Sequence, residues 1–193
     1  MHNQTLPSSL AASLRARTEA LVELFDNVAK ARMAGVPILN PALRVEALGF
    51  ELCEGGGAEV GDTHGAVGVL VTPWFMNLVW FPLDRIDQPN RAGTSRVHQV
   101  GTECFDFIAG HESAFGSYEA CSLFSPMFEF HDQTVASATG EAVLTALRQP
   151  PEPPPVITPA RTAKGPATQT KPSDLAARRA FLFGRRPAAG DKA

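Results

Sequence analysis

Cysteine is scarce in this chain: three residues in 193, Cys53, Cys104 and Cys121, with no Cys-x-x-Cys pair among them. That excludes zinc-ribbon and thioredoxin-type chemistry, and an odd, scattered set predicts free thiols in a reducing compartment. Long apolar runs are lacking too. No stretch of about eighteen apolar residues occurs, so no segment reads as membrane-spanning. The N-terminal residues lack the basic start and apolar centre of a secretory signal. Positive charge is short in the body: residues 1–148 hold 9 basic and 17 acidic side chains, a net −8. Nucleic acid is thereby excluded as the expected partner, because a phosphate backbone requires a basic face. Residues 149–193 reverse the balance, with 8 basic and 3 acidic side chains, a net +5. Such a segment suits weak, salt-sensitive contacts with acidic partners or with the body itself.

Catalytic constellations are also missing. His64, His98, His111 and His131 recur at no metal-ligand spacing and read as surface or structural residues. Gly55-Gly56-Gly57 is no phosphate loop, because no Lys-Ser/Thr follows it and no helix starts there. Glu51, Glu54, Glu59 and Asp62 around it read as a solvated acidic loop. Cys121 is the best candidate for a reactive group, yet no adjacent His, Lys or Arg would lower its pKa. It reads first as a structural thiol, and second as a contact to a cysteine-bearing partner or a metal. The expectation is a protein that is not an enzyme and holds no cofactor or metal.

What is present is a helix, a run of strands and a second helix. Leu10, Leu14, Leu21, Leu24, Phe25 and Val28 recur at three- and four-residue steps and predict an amphipathic helix over 8–34, capped by Ser8 or Ser9 and ended by Gly35. Leu43, Val45 and Ala47 alternate with Arg44 and Glu46, as in a strand with one wet face. Ala66–Thr72, Phe75–Phe81, Val97–Val100, Cys104–Ile108 and Tyr118–Phe124 are further strand candidates, with a Gly-rich loop at Cys53–Gly65 and a polar loop at Pro82–Thr94. A second helix is expected from about His131, with a stripe of Val135, Ala138, Ala142, Val143, Ala146 and Leu147 that ends at Pro150 and Pro151. The fold class expected is α+β: a two-layer sandwich of N-terminal helix, antiparallel sheet of about five strands covered on one face, and C-terminal helix. From Gln149 onward the prolines multiply among Ala, Thr and Lys, so residues 149–193 read as a disordered Pro-rich tail beside a domain at 1–148.

Two stretches spend large apolar side chains beside a proline. In Val71-Thr-Pro-Trp-Phe-Met-Asn-Leu-Val-Trp80, Pro73 removes a donor and suggests a bend or a sheet edge. Cys121-Ser-Leu-Phe-Ser-Pro-Met-Phe-Glu-Phe130 repeats the pattern. Aromatics and Met beside an edge suit a protein-binding surface. The expected partner-binding groove comprises Trp74, Phe75, Met76, Asn77, Tyr118, Cys121, Phe124, Met127 and Phe128, with Asn77 bonding an extended client backbone. Core packing is the competing reading, since alternate residues of these strands face inward.

Together with Arg32-Met-Ala-Gly-Val-Pro-Ile-Leu-Asn-Pro41, these two stretches resemble the HybE/HupJ/HoxT family of nickel–iron hydrogenase assembly chaperones, over roughly residues 15–148. The resemblance implies a small two-layer α/β sandwich and a non-enzymatic cytoplasmic accessory protein. It implies binding to the hydrogenase small subunit, with its twin-arginine signal peptide, or to the large subunit, before twin-arginine export. A cysteine-dependent redox or iron–sulfur protection protein acting on the same hydrogenase is the alternative. In the tail, Ala177-Arg-Arg-Ala-Phe-Leu-Phe183 resembles the twin-arginine motif itself. Its Arg178, Arg179, Phe181 and Leu182 lie at the wrong end of the chain to direct export, which suggests imitation of a client signal.

Overall fold

The computed structural model describes residues 8–53 and 64–149. Helix α1 spans Ser8–Ala31. Six strands follow: β1 Glu46–Cys53, β2 Gly65–Val71, β3 Met76–Pro82, β4 Ser95–Val100, β5 Glu103–Glu112 and β6 Gly116–Phe124. Helix α2, Gln133–Arg148, comes last, with the Asp132 carboxylate accepting from the Val135 N–H as its N-cap. The α+β class and the helix–strands–helix order are those read from the sequence. The strands number six rather than about five, and Leu43 and Val45 are buried in the approach to β1 rather than within it.

All pairing is antiparallel, in the order β1-β2-β3-β6-β5-β4. The chain therefore leaves β3 for the far edge, through the loop that holds the 3-10 turn Pro89–Arg91, and returns inward through β5 to β6. Strands β4 and β5 meet at a two-residue turn, Gly101-Thr102, in which Gly101 has φ +60°. Glycine at the first central position is what a type II′ hairpin turn asks for.

The helices lie on opposite faces. Leu21, Leu24 and Phe25 of α1 pack with Ala66, Leu70, Val79 and Phe81, while Ala136, Leu144 and Leu147 of α2 pack with Val67, Val69, Met76, Leu78 and Trp80. Every residue of β2 is buried as a result. Its unbroken run Ala66-Val-Gly-Val-Leu-Val71 has no polar alternate, which is how a strand covered on both faces is written. Over β1–β3 the molecule thus has three layers. The two-layer arrangement holds farther out: Val100 and Phe107 join the α2-side core, whereas Val97 and Ile108 on the other face are 62 % and 58 % exposed.

Arg17 fastens α1 to the sheet. Its guanidinium lies 3.8 Å from the Phe115 ring centroid, and Nη1 donates to the Phe115 carbonyl at 3.0 Å. The α1 stripe is the one read from sequence, but that of α2 is turned. Val135, Ala138, Ala142 and Ala146 are exposed, and Ala136, Gly140, Leu144 and Leu147 face the sheet. Small residues win here because the helix sits close: a Cβ on Gly140 would lie 2.7 Å from Leu48 Cδ1.

One polar group sits in the α2-side core. The Glu119 carboxylate pairs with His98 Nε2 and lies 3.7 Å from Arg96 Nη1, under Trp80, whose ring stacks on His98 at 5.2 Å. Burial pushes this carboxyl up, but the hydrogen bond and charge of His98, with Arg96 and Arg91, outweigh it and hold the group below its ordinary 4.5. A depressed value means the pair stabilises the fold above the ordinary carboxylate range and loses that contribution as pH falls through the depressed value.

Two outcomes are expected. Gly101→Ala would place a Cβ 1.8 Å from the Leu147 carbonyl oxygen, at a φ that disfavours it; urea denaturation should show a loss of about 2 kcal/mol or more. Glu119→Gln should cost about 2 kcal/mol at neutral pH. That difference from the unsubstituted protein should shrink towards acid pH in parallel denaturation series.

Candidate functional site

The turn from β2 to β3 is built on Thr72. Its N–H donates to the Phe75 carbonyl at 2.8 Å, and its hydroxyl donates to the same oxygen at 2.9 Å. That hydroxyl also accepts from the Phe75 N–H at 3.0 Å and the Trp74 N–H at 3.3 Å. Pro73 occupies a turn position that needs no donor. The proline therefore marks a bend, as expected, but between two central strands and not at an edge. Trp74 and Phe75 are carried half-exposed on the tip of this turn.

Asn40 joins that turn to the other two stretches singled out in the sequence. Its N–H donates to the Pro73 carbonyl at 2.8 Å, while Nδ2 donates to the carbonyls of Met127 at 3.0 Å and Phe130 at 2.6 Å. Oδ1 accepts from the Ala42 N–H at 3.0 Å, and the backbone carbonyl from the Leu43 N–H at 3.2 Å. The residue is buried, and each of its polar groups is engaged. Ser125 Oγ adds a bond to the Trp74 carbonyl at 3.4 Å. Segments 32–41, 72–77 and 121–130 thus meet at one end of the sheet. Asn40 was not among the residues predicted for the site; its position directly before Pro41 was the available signal.

The nine residues expected to form one groove are divided by the sheet. Phe75 and Met76 are adjacent and so point to opposite faces. Trp74, Phe75 and Tyr118 cluster on the α1 side around Phe25, with centroid separations to Phe25 of 6.4, 5.6 and 5.9 Å. Cys121 and Phe124 are half-buried on the α2 side, and Phe124 meets Phe130 edge-on at 5.4 Å. Met76 and Met127 are fully buried core residues, which corrects their place in a surface groove. Asn77 is half-buried, and its Oδ1 has no donor among the described residues. Phe128 is the outward member, 59 % exposed. At this end Phe128 is therefore exposed, with the aromatic rings of Trp74, Phe75 and Phe124 half-buried near it. Arg178, Arg179, Phe181 and Leu182 lie outside the described residues.

Neither half-buried thiol favours its ionised form. Burial pushes the Cys121 thiol up, and the Asp106 charge pushes it the same way, so the thiolate is disfavoured. Burial likewise raises Cys53. Among the described residues no three His, Cys, Asp or Glu side chains converge as a metal site. A shallow pocket between the 83–94 loop and β5–β6 is lined by Gln88, Arg91, Arg96, Ser117 and Glu119, but the Glu119 carboxylate is already committed to His98 and Arg96. No helix among the described residues is long and apolar enough to cross a membrane.

Comparison with known proteins places this arrangement. The chain is 40 % identical to the protein HoxT of Cupriavidus necator over 183 residues, covering 91 % of this chain and 92 % of that protein. It is 38 % identical to the hydrogenase expression/formation protein HupT of Azotobacter chroococcum, over 69 % of this chain and 83 % of the relative. With the hydrogenase expression/formation protein HupJ of Bradyrhizobium diazoefficiens it shares 36 % identity, over 68 % and 72 % of the two chains. The solution structure of HybE from Escherichia coli is similar at a TM-score of 0.48 and 18 % identity, covering 80 % of this chain and 91 % of that one. Residues 16–184 match the family described as "[NiFe]-hydrogenase assembly, chaperone, HybE", which extends the likeness well past residue 148, where the sequence reading ended it. The chain belongs to the HybE family of nickel–iron hydrogenase assembly chaperones.

Proposed function

We propose that this protein holds a hydrogenase subunit precursor in the cytoplasm during assembly, before twin-arginine export, by binding and release and without bond chemistry. The observation that carries this reading is the convergence of three stretches, distant in sequence, on an end where Trp74, Phe75, Phe124 and Phe128 are at least partly accessible. A fold has little reason to leave a phenylalanine 59 % exposed beside a rigid aromatic turn unless another surface covers it. Aromatics give contact area at low entropic cost, and the hydrogen-bonded Thr72 and Asn40 hold them ready. The small subunit, presented with its signal peptide, is the client this reading favours, with the large subunit as the other. Residues Arg178, Arg179, Phe181 and Leu182 imitate the two-arginine signal and compete with it.

Affinity capture from cells that express the hydrogenase operon, with mass spectrometry of the bound subunits, should recover an unprocessed precursor. Phe128→Ala should weaken its binding roughly tenfold, as loss of an interface anchor does, with the melting temperature unchanged. Full retention of the client by both Phe128→Ala and Trp74→Ala would remove the site from this end. Deleting residues 150–193 should raise affinity for an added twin-arginine signal peptide in a fluorescence titration; unchanged affinity would dismiss the imitation.

A further inference from the structure

The two edges of the sheet are finished differently. β1 carries an irregularity between Leu48 and Glu51, with Gly49 at φ +54°. Arg148 covers it, Nη2 donating to the Gly49 carbonyl at 2.7 Å and Nε to the Glu51 carboxylate at 2.9 Å. Bulges and charges of this kind are how folded proteins stop an edge from pairing with another chain.

The β4 edge is irregular only ahead of the strand, where Gly93 (φ +85°) and Thr94 both bond to Ala109, and from Ser95 onward it has none of these devices. Its register with β5 is unbroken from Ser95↔Ile108 to Val100↔Glu103, and Ser-Arg-Val-His-Gln-Val contains no proline. The Thr94 carbonyl accepts from the Ala109 N–H at 2.8 Å, so by the alternation of a ladder the backbone groups of Ser95, Val97 and Gln99 point outward. No described residue bonds to them. The side chains of these same three residues are exposed on the sheet face that α1 leaves open, next to Ile108. None of the three is charged. Arg96 and His98 turn to the other face, where Glu119 meets them.

We propose that β4 pairs with β4 of a second copy of this chain, antiparallel, so that Val97 meets its own counterpart and Ser95 lies opposite Gln99. In that register Ser95, Val97 and Gln99 each exchange both outward backbone bonds. The two Val97 side chains join the two Ile108 side chains in one apolar strip across the open face. The contact itself sets no like charges together: its outward side chains are neutral, although each body carries net −8 and the full chain −3. The nearest acid on the face, Asp106, pairs with Val97 one strand inward. Two copies thus keep these carboxylates about 14 Å apart, three strand spacings and more than a screening length. A two-fold contact requires a self-complementary patch, which Ser-x-Val-x-Gln supplies. This inference is independent of the client reading.

Sedimentation equilibrium of the full chain from about 1 to 300 µM tests it. The weight-average mass should rise from 20.6 kDa towards twice that value. Val97→Lys, which sets two ammonium groups face to face at an exposed position, should hold the mass at 20.6 kDa with an unchanged circular dichroism spectrum. Val97→Cys under mild oxidation should give a dimer whose peptide map joins the two introduced thiols, which fixes the register. A mass of 20.6 kDa at every concentration, or dimerisation of Val97→Lys as strong as that of the unsubstituted chain, would overturn the proposal. So would β4 amides that resist hydrogen exchange only after a hydrogenase subunit is added, an outcome that assigns the edge to a client strand instead.

Discussion

The amide of Asn40 is the constraint on which the functional end depends. It reaches across 87 and 90 residues of sequence to the carbonyls of Met127 and Phe130, while its own N–H takes the Pro73 carbonyl at the tip of the central hairpin. Each such bond contributes only about 1 kcal/mol net, but a buried carbonyl left without a donor costs about 1–3 kcal/mol. Loss of this amide would leave the Phe130 carbonyl without its donor and the Met127 carbonyl with only the Phe130 N–H. Ser125 adds only a long bond to the tip of the turn, at 3.4 Å, beside the ladder pairing of Met76 with Phe124. A buried residue can therefore decide whether the aromatics of this end are held in place.

Much of the fold was legible because its signals are local. The α1 stripe is made of large aliphatic side chains at helical spacing, and Leu21, Leu24 and Phe25 are the residues that end up buried. α2 was harder. Its contact surface begins with Ala136 and Gly140, small because the helix approaches Leu48 and Val69 closely, before Leu144 and Leu147, and a reading that follows bulk selects Val135 instead. The site was legible as a set of stretches and not as a surface. Adjacent residues such as Phe75 and Met76 separate to opposite faces, and which face is covered depends on two helices far away in sequence. The bonds of Asn40 leave no local trace beyond an asparagine before a proline.

Those two helices divide the sheet into regions with different duties. Where both faces are covered, β2 and β3 form a rigid centre that carries the aromatic turn at one end. Where α1 stops, β4 and β5 retain only the α2-side core built on Val100 and Phe107. The Glu119, His98 and Arg96 group lies in this thinner part, beneath Trp80. A buried carboxylate that reaches past β5 to His98 and Arg96 of the edge strand fixes register where apolar contacts alone would tolerate a slip.

The placement of the chain's two tryptophans has an optical consequence. Trp74 rides half-exposed on the turn, in edge contact with Phe75, whereas Trp80 is buried flat against His98. The first indole samples whatever approaches the aromatic end, and the second samples the packing of the α2-side core. Emission from one chain thus carries two separable reports, occupancy of a surface and integrity of a core, without any added dye.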